Sequence, residues 1–221
     1  MSSQNETPAP PRRGLAEKRQ AITRAALTVF GRDGYTRASI DAIAAEAGVS
    51  TRTIYNHFAG KELLFQTVVQ DSAGQVRDAQ LDVIERRLAK VTDLEADFVA
   101  FGLAWVATLW EFGDHFALVR QINAEAGHLP KPLLDAWQET GPRRAMAELS
   151  RRFGELADQG LLEAADPALA AQHFVLLTGT EVTQRSYWGV HPLTAEQTEE
   201  IVSSGVRVFL RAYAARPARA E

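Results

Sequence analysis

The stretch SIDAIAAEAGVSTRTIYNHF, residues 39–58, restricts the fold more than any other part of the chain. Ser39 can cap a helix, and Asp41 falls in the first turn, where the helix dipole favours an acid. Ile40, Ile43, Ala44 and Ala47 form the inner face, and Gly48 supplies the left-handed residue that stops the helix. Val49 fills the corner, and Ser50 caps a second short helix from Thr51 to Phe58. Two short helices joined by a glycine turn make a helix-turn-helix unit. The second helix has only Ile54 and Phe58 clearly apolar, so Thr51, Arg52, Thr53, Tyr55, Asn56 and His57 are left for something outside the fold. In this motif the second helix enters the DNA major groove. Arginine pairs bidentately with guanine, threonine meets a base or a thymine methyl, and tyrosine and lysine suit phosphate. The alternative is a surface helix pair in an unrelated bundle.

Charge agrees with a local nucleic-acid contact. The chain of 221 residues has a net charge of −4, but residues 1–61 hold nine Lys/Arg against five Asp/Glu. That first quarter is therefore +4 and the remaining 160 residues are −8. A basic segment joined to an acidic remainder fits one part that meets phosphate and another that does not.

Elsewhere the apolar residues keep a helical period. Ile22, Ala26, Val29 and Phe30 make one face of a first helix, which Gly31 and Gly34 are expected to end. Gly60 breaks the chain and Lys61 opens a longer helix through Leu64 and Val68. Thr92-x-x-Glu95 and Thr194-x-x-Gln197 match capping boxes, and Asp166-Pro167 is a strong start signal. Helices are expected over Phe98–Trp110, from Pro130, from Ala145, from Pro167 to about Trp188, and through Ile201 to Tyr213. No stretch alternates like a strand. The fold class is all-α with about nine helices: an N-terminal three-helix domain over 14–74 and a C-terminal helical domain over 75–214. Residues 1–13 read as a disordered arm and 215–221 as a frayed tail. The chain has no cysteine, hence no disulfide and no thiolate chemistry. Its start shows no secretory pattern, and its most apolar run, 13 residues, is shorter than the roughly 18 of a membrane span, so a cytoplasmic protein is expected.

The run from Arg19 to Leu64 resembles the DNA-binding domain of the TetR/AcrR transcriptional regulators. The resemblance rests on Ala25-Ala26 with Phe30, Gly34-Tyr35, Ile43-Ala44, Ala47-Gly48-Val49-Ser50, Tyr55, Phe58 and Lys61-Glu62-x-Leu64. It implies Ser39, Tyr55 and Lys61 on phosphates and Thr51 to Thr53 near bases, with Arg52 standing where the family often has glycine. Ser50, Asn56 and His57 complete the expected DNA face. The segment Arg120–Ala126, followed by Gly141-Pro142, is similar to the AefR-like C-terminal subtype. The resemblance further implies a homodimer through the last two helices and an effector cavity in the C-terminal domain. For the dimer face the apolar stripes offer Leu176, Leu177, Ile201, Val202, Val206, Phe209 and Tyr213, with Gly179 and Gly205 allowing close approach.

Aromatics concentrate in the C-terminal part. Helical aromatics are more often core than pocket, but Phe101, Trp105, Trp110, Trp137, Phe174 and Tyr187 are the candidates to line a cavity, with His115 and Thr178 as polar tips. Trp105 and Trp110 stand about 140° apart on a helix and cannot share a face. Glu111 with His115, and Glu125 with His128, are isolated pairs that do not make a metal site. There is no phosphate loop, dinucleotide fingerprint or nucleophile motif, so neither cofactor nor catalysis is expected. The expectation is a regulator that binds a palindromic operator in double-stranded DNA, a repressor released by a small apolar or aromatic effector. The alternative is an architectural or division-related DNA-binding protein on the same fold without small-molecule control.

Overall fold

The computed structural model describes residues 12–215, excepting the side chains of Arg12 and Arg13. The expected arm and tail therefore lie outside the described residues, apart from Arg12 and Arg13 in the first helix and Ala215, whose amide donates to the Leu161 carbonyl. Ten helices follow one another: α1 (Arg12–Arg37), α2 (Ile40–Ala47), α3 (Thr51–His57), α4 (Lys61–Leu88), α5 (Leu94–Glu111), α6 (Gly113–Glu125), α7 (Lys131–Thr140), α8 (Pro142–Asp158), α9 (Pro167–Arg185) and α10 (Ala195–Tyr213). Among the described residues the only strand-like pairing is an isolated bridge between Leu162 and Ala214. The all-α reading of about nine helices holds, and the addition is α6. It starts where Phe112 leaves helical geometry (φ −112°, ψ 44°), a break that no proline announces.

Local capping follows the sequence closely, with three shifts. Ser39, Ser50, Asp166 and the Thr194/Gln197 box cap as their residue types require. At α5 the cap is Asp93 rather than Thr92, because Asp97 instead takes the amides of Thr92 (2.7 Å) and Asp93 (3.0 Å). Those two amides hold the Asp97 carboxyl below its usual range. Gly31 does not end α1: it is the close-packing point on α6, where an added Cβ would lie 3.1 Å from the Ala117 Cβ. The break comes at Gly34 (φ 77°, ψ 171°). Third, α9 ends at Arg185, three residues before Trp188, and Tyr187, Trp188 and Gly189 then take positive φ in succession.

Two cores share α4, which at 28 residues is about 42 Å long. The first gathers Ile22, Val29 and Phe30 of α1, Ile43 of α2, Ile54 of α3 and Leu64, Phe65 and Val68 of α4. It is closed by Leu118, Val119 and Ile122 of α6 and by Leu133 and Trp137 of α7. The second core centres on four phenylalanines from four helices: Phe98, Phe153, Phe174 and Phe209. All six of their ring pairs lie 5.3–5.8 Å apart, the range in which aromatic pairs attract. Glycines let α10 press in. A Cβ at Gly102 would sit 2.7 Å from Val202, and one at Gly205 would overlap the Leu177 carbonyl.

Candidate DNA interface and ligand cavity

Helix α3 is short because it is held at both ends. Ser50 accepts the Thr53 amide (3.2 Å) and shares a hydrogen bond with the Thr53 hydroxyl (2.9 Å). At the other end Phe58 leaves helical geometry and is buried, with the Arg19 guanidinium 4.4 Å above its ring. Arg19 also donates to the His57 carbonyl (3.4 Å), a cation at a helix C-terminus. Only Ile54 of α3 is buried. Arg52, Tyr55 (57% exposed) and Asn56 stand out from the surface, and Thr51, Thr53 and His57 are half-buried. One helix thus turns three exposed polar side chains outward and leaves three more half-exposed, anchored by an isoleucine.

Two of the expected phosphate contacts already have structural work. The Ser39 hydroxyl caps α2 by accepting the Ala42 amide (3.1 Å). The Lys61 ammonium donates to the carbonyls of Tyr35 (2.9 Å) and Ala38 (2.9 Å) and lies 4.6 Å from the centre of the Tyr35 ring. That lysine ties α4 to the chain entering the helix-turn-helix.

In the C-terminal part the structure scatters the expected cavity residues. Phe101 and Phe174 stack on each other at 5.1 Å and are buried in the second core. The Thr178 hydroxyl is buried and donates back to the Phe174 carbonyl (2.8 Å). Trp137 belongs to the first core, and Tyr187 is 67% exposed on the loop after α9. Trp110 and His115 line a separate groove of about 420 Å³ with Leu27, Ser72 and Gln75. The buried His115 ring meets the Ser72 hydroxyl at 3.1 Å, and burial pulls its pKa down to about 4.

Of the eight candidates, Trp105 alone borders the apolar cavity of about 320 Å³ between α4, α5, α6 and α9. Its apolar wall is Trp105, Val106, Leu109, Phe116, Val175 and Trp188, and its polar tips are Gln80, Thr108, Thr180, Thr183 and Gln184. The separation of Trp105 from Trp110 follows from their angle on α5. On α9, Thr180, Thr183 and Gln184 put polar groups at i, i+3 and i+4, a spacing that sets them on one face, and that face lines the cavity. Trp188 carries no such signal; it reaches the cavity because of the left-handed turn, and its carbonyl accepts from the Arg120 guanidinium (2.7 Å).

The expected dimer stripe divides as well. Ile201, Val202, Val206 and Phe209 are packed in their own protomer's core, because α10 turns that face inward on α5 and α9. Gly205 serves the same internal contact, while Gly179 lines the cavity. Tyr213 is half-buried, its hydroxyl 2.7 Å from the His173 ring nitrogen. Leu176 (52%) and Leu177 (37%) remain exposed, joined by Leu169 and Val208. Among the described residues no helix is long and apolar enough to cross a membrane.

Residues 22–68 match the family of bacterial regulatory proteins of the tetR type, and residues 99–215 match the AefR-like transcriptional repressor C-terminal domain. A TetR-family transcriptional regulator from Mesorhizobium loti superposes with a TM-score of 0.80 and 30% identity, over 90% of this chain and 98% of that one. The flavonoid-responsive regulator FrrA has a TM-score of 0.68 and 29% identity, over 91% of this chain and all of its own. The HTH-type transcriptional regulator BetI of Vibrio campbellii is 27% identical over 168 residues, 69% of this chain and 75% of BetI. With its polar third helix, its AefR-like C-terminal half and these relatives, the chain belongs to the TetR family of DNA-binding transcriptional regulators, whose members form dimers.

Proposed function

We propose that the protein is a repressor that leaves a palindromic operator when a small, uncharged, largely aromatic compound occupies the cavity beside Trp105. The observation that carries this reading is the lining: an apolar wall with two indoles and five polar tips, none of which ionises. A charged guest would lose its hydration there without an opposite charge to replace it. A neutral guest of flat shape gains apolar contact and keeps a few hydrogen bonds. FrrA, 29% identical, is flavonoid-responsive, and flavonoids are neutral aromatic compounds of this kind. Two copies would pair through the exposed Leu176 and Leu177 with Leu169 and Val208, giving two reading helices and hence a two-fold operator in the cytoplasm. Arg52, Thr51 and Thr53 would face bases, and Tyr55 and Asn56 the backbone.

The test titrates the dimer on its selected duplex with an uncharged flavonoid and with a sulfated derivative. Indole emission from Trp105 and Trp188 should change with the uncharged compound, and DNA should be released over the same concentration range, because both follow one population shift. Emission that changes while DNA stays bound would favour the architectural reading. A preference for the sulfated compound would refute the neutral guest.

A further inference from the structure

Between α1 and the helix-turn-helix the chain makes one isolated helical turn. Gly34 breaks α1, and the Ala38 amide then donates to the Gly34 carbonyl (3.2 Å), so the helix restarts for a single turn. At a restart the first amides have no carbonyl one turn back. Here they are met from outside: Glu125, the last residue of α6, accepts the Tyr35 amide (3.0 Å) and the Thr36 amide (3.3 Å) on Oε2, and its Oε1 also meets the Thr36 amide (3.4 Å). The carbonyls at the other end of the turn receive the Lys61 ammonium. A carboxylate holds the amide end and an ammonium the carbonyl end, each from a different helix. Gly34 makes room for this contact, because a Cβ there would stand 2.5 Å from Glu125 Oε1. The neighbouring Gln121 donates to the Arg32 carbonyl (3.4 Å), just before the break. One residue after the turn, Ser39 caps α2.

We propose that Glu125 is a positioning residue for DNA recognition: from the C-terminal half of the chain its carboxylate fixes the Gly34–Ala38 turn, and through it the attitude of α2 and α3. It touches no DNA itself. Without it the two amides turn to water, the turn can rewind, and the reading helix samples orientations that must be lost again on binding. Gln at this place keeps one oxygen able to accept both amides, whereas Ala keeps none.

The experiment uses the full chain and a duplex enriched from random DNA by the wild type. Glu125→Ala should bind that duplex about tenfold more weakly, or about 1.4 kcal/mol, with an unchanged salt slope because no phosphate contact is removed. Hydrogen exchange of the Tyr35 and Thr36 amides should quicken, and Glu125→Gln should restore most of both. Glu125→Asp, shorter by one methylene but still charged, should resemble Ala and carries the test should Ala melt too low to assay. Wild-type affinity in both Ala and Asp variants overturns the proposal, and so does a loss of affinity with unchanged amide exchange.

Discussion

Helices α3 and α5 show how differently the two ends of this chain use their side chains. Of seven residues in α3 one is buried, and its remaining polar groups have no part in the protomer's core. Of eighteen in α5 seven are buried, among them Phe98, Phe101 and Trp105. A polar face on an anchored helix has few structural explanations, so its presence points outward to a partner. An aromatic on a core helix has one ready explanation, and most of those here take it. A functional face is therefore easier to propose on the surface of the first region than among the packing residues of the second. The largest test of that contrast sets two apolar-to-charged changes in the second region against each other. Val206→Glu places a charge within the phenylalanine core and should cost roughly 5 kcal/mol, enough to unfold a marginally stable domain. Leu176→Glu, on an exposed residue, should leave the melting temperature nearly unchanged and give monomers by sedimentation. Equal melting temperatures for both would mean that α10 is not packed inward as described.

Burial of an ionisable group where the regions meet gives the next effect. The His115 pKa near 4 lies below its unfolded value of about 6.5, so the unfolded chain takes up that proton first. Its contribution is complete above pH 6.5, declines as the pH falls, and is gone at about pH 4. The span corresponds to on the order of 3 kcal/mol. Denaturant titrations at pH 7 and pH 4.5 should show a smaller acid loss for His115→Gln than for the wild type. Identical losses would show that the ring is hydrated and not desolvated beside Ser72.

How far each region could be read in advance follows from the same contrast. Ser39, Gly48, Ser50 and Ile54 act through local rules of capping, turn geometry and periodicity, and these are properties of adjacent residues. The α10 stripe was legible as apolar but not as inward-facing, because that depends on glycines meeting distant partners, Gly102 on Val202 and Gly205 on Leu177. Trp188 reaches the cavity through three successive left-handed residues, two of them not glycine, which no propensity favours. Glu125 shared a pattern with His128 that suggested at most a lone metal-ligand pair. Its partners are backbone amides 89 and 90 residues away, which no spacing rule could reveal.

On the outer face of the first region, Arg52→Ala removes a side chain that the fold does not use. It should cost roughly 1–3 kcal/mol of operator affinity, relax the preference at one base pair in each half-site, and leave the melting temperature unchanged. Selection of binding sites from random DNA with both proteins makes the comparison. An equal loss on every sequence would make Arg52 a phosphate contact.

Lys61→Ala should have the smallest effect and the one most unlike Arg52→Ala. On sequence alone Lys61 is a phosphate contact, whose loss would lower the salt slope by about one. In the folded chain its ammonium is instead committed to the Tyr35 and Ala38 carbonyls and to the Tyr35 ring. Removing it leaves two carbonyls to water at a half-buried site. The expected cost is about 1 kcal/mol of stability, the order of one ordinary hydrogen bond after exchange with solvent at this half-exposed site. DNA affinity should fall modestly and equally on all sequences, since the turn that carries α2 loosens while the reading face is intact. Melting temperature and salt slope separate the two roles. A lower melting temperature with an unchanged slope makes Lys61 an internal strut of the first region. A falling slope with unchanged melting would mean that the ammonium leaves its carbonyls for phosphate when DNA is bound, and the first region would then share even its struts with its partner.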